Sequence, residues 1–290
     1  MTRATATATT TATTPTTTPP TGNNPAWTPT NSRPCSTTES QSVVVGGKWY
    51  VFGGFNTSAG YAPRPCAYVY DPATGRWTKL ADMPRMNNGT VPGGLTHSGF
   101  TTDGTDIYFA SGYTAKADGT GQIFGTKEAW KYTVATNSYS RLPDLPVARA
   151  AGQLAYLNGK LHYVGGTNQV RTQNVGDQYV LDLSNLGAGW ITKKPLPNPR
   201  HHAGIAVLNG QIYYIGGQWE HDGALVPQSD VHRYDPATDS WTKVASLKKP
   251  TNHAGASTVV FNGKIIVIGG QMNHQQSIDD VVQYDPATDS

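Results

Sequence analysis

Three histidines occupy one repeated position in this chain. His97, His202 and His253 each precede a small residue and a glycine, as Ser98-Gly99, Ala203-Gly204 and Ala254-Gly255. In the unit between the first two, the matching position reads as Ala150. Side chains that share a position in a repeat converge around one axis. Three convergent imidazoles can bind a transition metal or hydrogen-bond a polyol. A plainer role, in which each ring satisfies loop backbone groups, carries more weight for a histidine at such a position. Arg149 and Arg200 follow proline-containing links (Pro146-Val-Ala-Arg149 and Pro197-Asn-Pro-Arg200) and offer cations to an acidic ligand, against the simpler alternative of solvated arginines along an edge. Trp219 lies just past a glycine pair, where an exposed ring can stack on a sugar or insert into a partner.

Other chemistry is harder to find. The chain has no Gly-x-Ser-x-Gly, no phosphate loop and no His-Glu-x-x-His. Only 14% of residues are charged and the formal net charge is +3, with Lys193-Lys194 and Lys248-Lys249 as isolated pairs. That is no electrostatic footprint for nucleic acid. No apolar run reaches the length of a membrane span, so membrane insertion is not expected.

The elements that carry these residues repeat. Tyr-Asp-Pro-Ala-Thr occurs unchanged at Tyr70–Thr74, Tyr234–Thr238 and Tyr284–Thr288. Upstream of each copy an apolar run ends in two glycines, and the full set is Gly53-Gly54, Gly165-Gly166, Gly216-Gly217 and Gly269-Gly270, with Ser111-Gly112 as a degenerate member. These pairs recur every 51–58 residues, close to the period of a propeller blade. Ahead of each pair stand two apolar runs joined by Asn158-Gly159, Asn209-Gly210 or Asn262-Gly263. Asn-Gly is the strongest short hairpin signal, because a type I′ turn requires φ > 0 at both central residues. Gly46-Gly47 and Asp103-Gly104 are expected to act alike in the first two units. A third strand such as Val231-His-Arg-Tyr234, an Asp-Pro turn and a fourth strand Ser240-Trp-Thr-Lys-Val244 complete the unit. Four antiparallel strands per repeat make a propeller blade. Tyr70 with Trp77 and Tyr234 with Trp241 are expected to fill space between blades.

Diglycine, then Tyr, then Trp about seven residues later is the kelch pattern, and from residue 42 or so to 290 the chain resembles a kelch β-propeller. It is similar to the kelch modules of large bacterial extracellular proteins. The second unit departs with Ser111-Gly112 and with Tyr139 for Trp, and the third replaces the turn motif with Leu181-Asp-Leu-Ser184. The resemblance implies an all-β fold of four-stranded antiparallel blades. Ala26-Trp27-Thr28 matches Ser240-Trp241-Thr242. Residues 26–32 are therefore expected to complete the last blade and close a ring of five, which removes an exposed edge. The runner-up is six blades in a longer protein.

In kelch propellers the loops after the glycine pairs and those leading into each first strand open on one face. The resemblance thus assigns ligand binding to a mouth formed by His97, Arg149, Arg200, His202, Trp219 and His253. The expected occupant is a glycan or an acidic peptide or protein, with no metal, no cofactor and no catalytic residue. The copper-radical galactose oxidases share the fold. However, Gly94-Leu-Thr-His-Ser98 lacks the tyrosine that their cross-link would need, and His201-His202 stands where a Tyr-His pair would be wanted. A sialic-acid mutarotase of kelch type needs only a carboxylate and an arginine, for which Glu39 and Glu220 are the nearby glutamates. A non-enzymatic binding module, monomeric within a larger exported protein, is the preferred reading.

Residues 1–25 form a separate Thr/Pro-rich segment, too poor in large apolar residues to fold alone and expected to be a disordered linker, while 26–290 make the propeller. No secretory signal is visible at Met1-Thr-Arg-Ala-Thr. Cys35 and Cys66 can reach the same face of the first blade, and the sequence leaves a disulfide and two free thiols equally open.

Overall fold

Apolar runs bounded by tight turns pair in sequence order, and the result is a series of antiparallel sheets. The structure is a computed structural model that describes residues 29–290 except 275. Blade one comprises strands Gln41–Val45, Lys48–Phe52, Ala67–Asp71 and Arg76–Lys79. Blade two uses Gly99–Thr102, Ile107–Ala110, Ala129–Thr133 and Ser138–Leu142. Blade three uses Gln153–Leu157, Lys160–Val164, Gln178–Asp182 and Trp190–Thr192. Blade four uses Gly204–Leu208, Gln211–Ile215, Val231–Asp235 and Ser240–Val244. Blade five has Thr258–Phe261, Lys264–Asn273 and Gln276–Tyr284 among the described residues. Within every sheet the strands pair in chain order. The chain is thus an all-β propeller of five blades.

The turns explain the register. Asn158, Gly159, Asn209 and Gly210 all have positive φ, as the two-residue hairpin requires. Blade two differs from expectation at Asp103-Gly104. Four residues separate its first two strands there, and the Asp103 carboxylate accepts the Thr105 and Asp106 N–H groups. The Asp-Pro turns close as read: Asp71, Asp235 and Asp285 each accept the N–H two residues on at 2.9 Å.

Apolar cores lie between successive blades. Phe52, Phe109 and Tyr132 join the first to the second, and Tyr108, Leu161 and Tyr163 join the second to the third. Leu157, Ile212 and Tyr234 follow, then Ile215, Val231, Ile265 and Val267. The outer aromatics add a polar latch to the segment that leads into their own blade's first strands. Trp77 donates to Asn31 O at 2.8 Å, Trp190 to Pro143 O at 2.8 Å and Trp241 to Lys194 O at 2.9 Å. Tyr139, the apparent departure in blade two, reaches Ala81 O at 2.9 Å through its hydroxyl and so serves the same purpose. Trp241 is half-buried and also donates to Gln178 Oε1 at 2.9 Å. Trp241→Ala is expected to cost about 2–4 kcal/mol in urea denaturation, and Trp241→Phe, which keeps a ring but loses the indole N–H, about 1–2 kcal/mol. Wild-type stability in Trp241→Phe would show that the latch contributes nothing.

The second glycine of each pair serves packing as well as conformation. A Cβ on Gly166 would lie 2.5 Å from Ala150 O, and one on Gly217 would lie 2.6 Å from His201 O. The N–H groups there bond across to the next blade: Gly54 to Leu95 O, Gly112 to Arg149 O, Gly166 to Arg200 O and Gly217 to Thr251 O, at 2.7–3.1 Å. Ser111 tolerates the left-handed position of a first glycine, and its hydroxyl bonds the Tyr163 hydroxyl at 3.0 Å.

Cys35 and Cys66 form a disulfide, which decides between the two alternatives left by the sequence. Two expectations fall on undescribed residues. The Thr/Pro-rich segment 1–25 lies outside the described part, as do residues 26–28 of the proposed closing strand. Of the remainder, Asn31 is not in a strand and rests on blade one, its side chain donating to Gly75 O at 2.9 Å.

Candidate functional site

The first strands of all five blades line a central channel of about 620 Å³, which includes Val43, Thr101, Ala155, Ala206 and Val259. At one end each blade presents the same short approach. Thr38, Thr96, Ala150, His201 and Asn252 make bridges to Phe55, Tyr113, Thr167, Gln218 and Gln271. The residue after each bridge takes a left-handed backbone: Glu39 (φ 52°), His97 (54°), Ala151 (55°), His202 (54°) and His253 (55°). One shared backbone turn therefore sets the starting direction of all five side chains. Backbone bonds run between neighbours, from Ala151 N to His97 O, His202 N to Ala151 O and His253 N to His202 O, at 2.8–3.0 Å.

This geometry corrects the sequence alignment in one place. Ala151, not Ala150, is the blade-three equivalent, because Gly152 takes the place of Ala203 and the small-residue-plus-glycine signature slips by one. Glu39 occupies the blade-one position and was not among the candidate ligand residues. A signal for it existed: Glu39 lies fifteen residues before Gly54, as His97 does before Gly112 and His202 before Gly217.

The convergent side chains contact one another. His97 Nε2 meets Glu39 Oε2 at 2.7 Å, and His253 Nε2 lies 4.0 Å from Glu39 Oε1. His97 Nδ1 lies 3.1 Å from the Thr96 hydroxyl, which itself donates to Glu39 O at 3.2 Å. The His202 ring sits 5.1 Å from His97, 4.4 Å from His253 and 4.6 Å from His201. His201 and His202 also touch through their Nδ1 atoms, and His253 Nδ1 contacts the Asn252 side chain. These rings are thus held by neighbouring side chains rather than by loop backbone. His221 stacks on His201 at 4.3 Å, and Tyr113 stacks on His97 at 4.1 Å.

Above this layer the loops after the glycine pairs build a mouth of about 480 Å³, lined in part by Glu39, Tyr61, Tyr113, Arg171, His202 and Gln218. Arg171 is its cation. The guanidinium lies 3.2 Å from Asp222, 3.4 Å from His221 Nδ1 and 4.8 Å over the Phe124 ring. Arg171, Glu220 and Asp222 all have left-handed φ, a costly conformation that persists where the surroundings over-determine it. Sequence reasoning missed Arg171 and His221, because both come from variable loops that carry no repeated signal.

Burial governs the ionisation of this cluster. It drives His202 far below the ordinary imidazole range, with His253 and His201 adding to the effect. Burial and neighbouring imidazoles bring His201 down to about 2, and burial with Arg171 brings His221 down to about 4. His253 is also lowered by burial, against the pull of Glu39. At Glu39 burial raises the carboxyl, but the charge and hydrogen bond of His97, with His253 and Arg171, outweigh it and leave the group below its usual range. Among the described residues no group of three or more His, Cys, Asp or Glu side chains has the geometry to hold a metal ion.

The same effect predicts acid sensitivity. Burial holds His162 and His232, both buried in their blades, down to about 4. The unfolded chain takes up these protons near pH 6.5 or so. Their contribution to stability is therefore full above about pH 6.5 and is lost as the pH falls toward about 4. Each imidazole that stays neutral only in the folded state steepens the slope by up to about 1.4 kcal/mol per pH unit. Thermal melts should show a midpoint that falls steadily on acidification, and less steeply in His162→Leu. A midpoint independent of pH over this window would refute the assignment.

The six candidate residues separate into two groups. His97, His202 and His253 come together at the mouth. Arg200 does not reach it: it is 0% exposed, and its guanidinium donates to Gly216 O, Asn198 O, Tyr214 O and Asp230 O at 2.6–3.0 Å. Its expected role as a ligand contact is corrected to a structural one. Arg149 is paired with Asp177 at 2.5 Å and also bonds Ala148 O. Trp219 is 38% exposed and donates to Asn198 Oδ1 at 3.0 Å, so it is a surface ring outside the mouth lining.

Diglycine hairpins, Asp turns and latching aromatics arranged in this way define a kelch propeller. The chain belongs to the kelch-repeat family: the KLHDC2/KLHL20/DRC7 Kelch-repeats domain matches residues 126–290, and the Kelch motif matches residues 37–84. It is 26% identical over 272 residues to Kelch-like protein terF of Aspergillus terreus, covering 89% of this chain and 54% of that protein. It is 25% identical over 279 residues to Kelch-like protein 35 of Mus musculus, covering 82% and 44% respectively. The chain thus spans about half the length of the curated relatives it matches. A solved structure described as "Structure of YjhT" superposes with a TM-score of 0.71 at 16% identity, covering 91% of this chain and 86% of that one, a likeness of fold. Kelch propellers generally serve as protein-interaction modules. No helix among the described residues is long and apolar enough to cross a membrane.

Proposed function

We propose that this propeller is a non-enzymatic binding module of an exported protein, and that the histidine-lined mouth is where it takes hold of a glycan or protein partner. The observation that carries this reading is the convergence of Glu39, His97, His202 and His253 at one end of the channel, on left-handed backbone and beneath loops that leave a cavity. Strained backbone held by rigid surroundings is typical of ligand sites, and loops on a rigid scaffold are where binding residues concentrate. The disulfide supports export, because such bonds persist in oxidising compartments.

The test uses rim residues whose loss leaves the blades intact. Tyr61 is 56% exposed and lines the mouth, whereas Val170, 67% exposed, does not line it. In calorimetry against a glycan and peptide panel, Tyr61→Ala should weaken the bound probe about tenfold while Val170→Ala leaves it unchanged. Equal affinity in both variants would place the binding face elsewhere.

A second reading draws on one observation, the Glu39–His97 pair. A carboxylate bonded to an imidazole inside a polar cavity can move protons, as a carbohydrate-active enzyme of the kelch sialic-acid mutarotase type requires. Proton NMR of candidate sugars separates the two. Anomeric exchange accelerated by the protein and abolished by Glu39→Gln would favour the enzyme.

A further inference from the structure

We infer that the mouth recognises an uncharged, polyhydroxylated ring, such as a neutral hexose or N-acetylhexosamine unit of a glycan. This rests on the reading of the mouth as the binding face and goes on to name the chemistry of the ligand.

Charge is the first argument. The two cations expected to attract an acidic ligand are committed elsewhere, Arg200 to four backbone carbonyls and Arg149 to Asp177. The cation that does line the mouth, Arg171, is already held by Asp222 at 3.2 Å. Glu39 is already hydrogen-bonded to His97 Nε2 at 2.7 Å. Among the described residues, both the guanidinium and this carboxylate are thus already engaged. An anionic ligand would have to break the Arg171–Asp222 pair or lie against Asp222 and Glu39, and unmatched charge in a desolvated site is costly.

Unused hydrogen-bonding capacity is the second argument. Tyr113 and Gln218 both line the cavity and are each 2% exposed, yet among the described residues Tyr113 Oη and Gln218 Oε1 have no partner in good hydrogen-bond geometry, with only the Arg171 guanidinium near the phenol. A buried polar atom left unpaired costs free energy, so these two groups favour whatever ligand completes them. The phenol can donate or accept, and the amide oxygen can only accept. A hydroxyl group answers both, since it donates to one and accepts from the other. Neighbouring hydroxyls on a sugar ring offer that capacity without charge. Shape is the third argument: the exposed Tyr61 ring, with Phe55 5.6 Å away, supplies the aromatic surface on which the C–H face of a sugar packs.

The experiment titrates the full chain by calorimetry with glucose, galactose, mannose and N-acetylglucosamine, then with glucuronate, galacturonate and a hexaglutamate peptide. A neutral sugar should bind, its affinity should depend little on salt, and Tyr113→Phe, which removes only the hydroxyl, should weaken it about tenfold. Val170→Ala, outside the mouth lining, should leave it unchanged. If instead an acidic probe binds, weakens with salt and is lost in Arg171→Ala but kept in Tyr113→Phe, the neutral-sugar inference is overturned while the mouth remains the binding face. If a probe binds and neither substitution nor Tyr61→Ala changes its affinity, both the inference and the reading beneath it fall. If no neutral sugar binds at millimolar concentration, the inference is overturned.

Discussion

Arg200→Ala is expected to destabilise the propeller by about 3–5 kcal/mol, well beyond the usual single substitution. The residue is fully buried, and its guanidinium is spread over four backbone carbonyls from three segments of blade four, with the Tyr214 ring beneath it at 5.0 Å. Truncation leaves those oxygens without a donor in a desolvated site, where each unmade bond costs roughly 1–3 kcal/mol, and adds a cavity. Lysine keeps the charge but cannot reproduce the planar fork, so Arg200→Lys should recover only part of the loss. Urea denaturation measures both. The ligand affinity of the folded fraction should stay unchanged, because burial keeps this side chain from the mouth. Wild-type stability with weakened binding would show that Arg200 contacts ligand after all.

Removing the Cys35–Cys66 disulfide is the second large effect. The bond joins residues 31 apart in sequence, and on the chain-entropy account a loop of that size restricts the unfolded state by about 3–4 kcal/mol. It ties the segment ahead of blade one's first strand to the segment ahead of its third. Cys35→Ser combined with Cys66→Ser should lower the denaturation midpoint accordingly, and the wild type in reductant should match the double variant. Two thiols titrating in the denatured, unreduced protein would show that the bond does not form.

The blades were legible because each local signal agreed with the next. Asn-Gly turns fix the hairpins, glycine pairs mark where a strand end presses on a backbone carbonyl, and the Asp turns set the third and fourth strands. Repetition then multiplied a weak signal. Even the departures obeyed the physics, since Tyr139 latches through its hydroxyl where other blades use an indole. The site was only partly legible. His97, His202 and His253 share a motif and converge as read. Arg149 and Arg200 share a motif too, yet they fold inward, one to a carboxylate and one to carbonyls, and nothing in the sequence distinguishes a guanidinium that faces solvent from one that does not. Glu39 was read only as a glutamate near the face and not as a member of the ring, because Gln41 replaces the glycine that marks the three histidine blades. Arg171, His221 and Asp222 meet only through loops that do not repeat, so their association is a tertiary fact.

Ala151 has a consequence for what the mouth can tell apart. Five repeats set five side chains at equal stations, and identical residues there would make a funnel with rotational symmetry, blind to the orientation of its guest. Here one station holds a carboxylate, three hold imidazoles and one holds a bare methyl. The methyl is a notch in an otherwise filled rim, and the carboxylate marks one direction around it. A duplicated architecture thereby loses its rotational equivalence through unequal filling of equivalent places. An asymmetric guest entering the funnel would meet five different settings rather than one repeated five times.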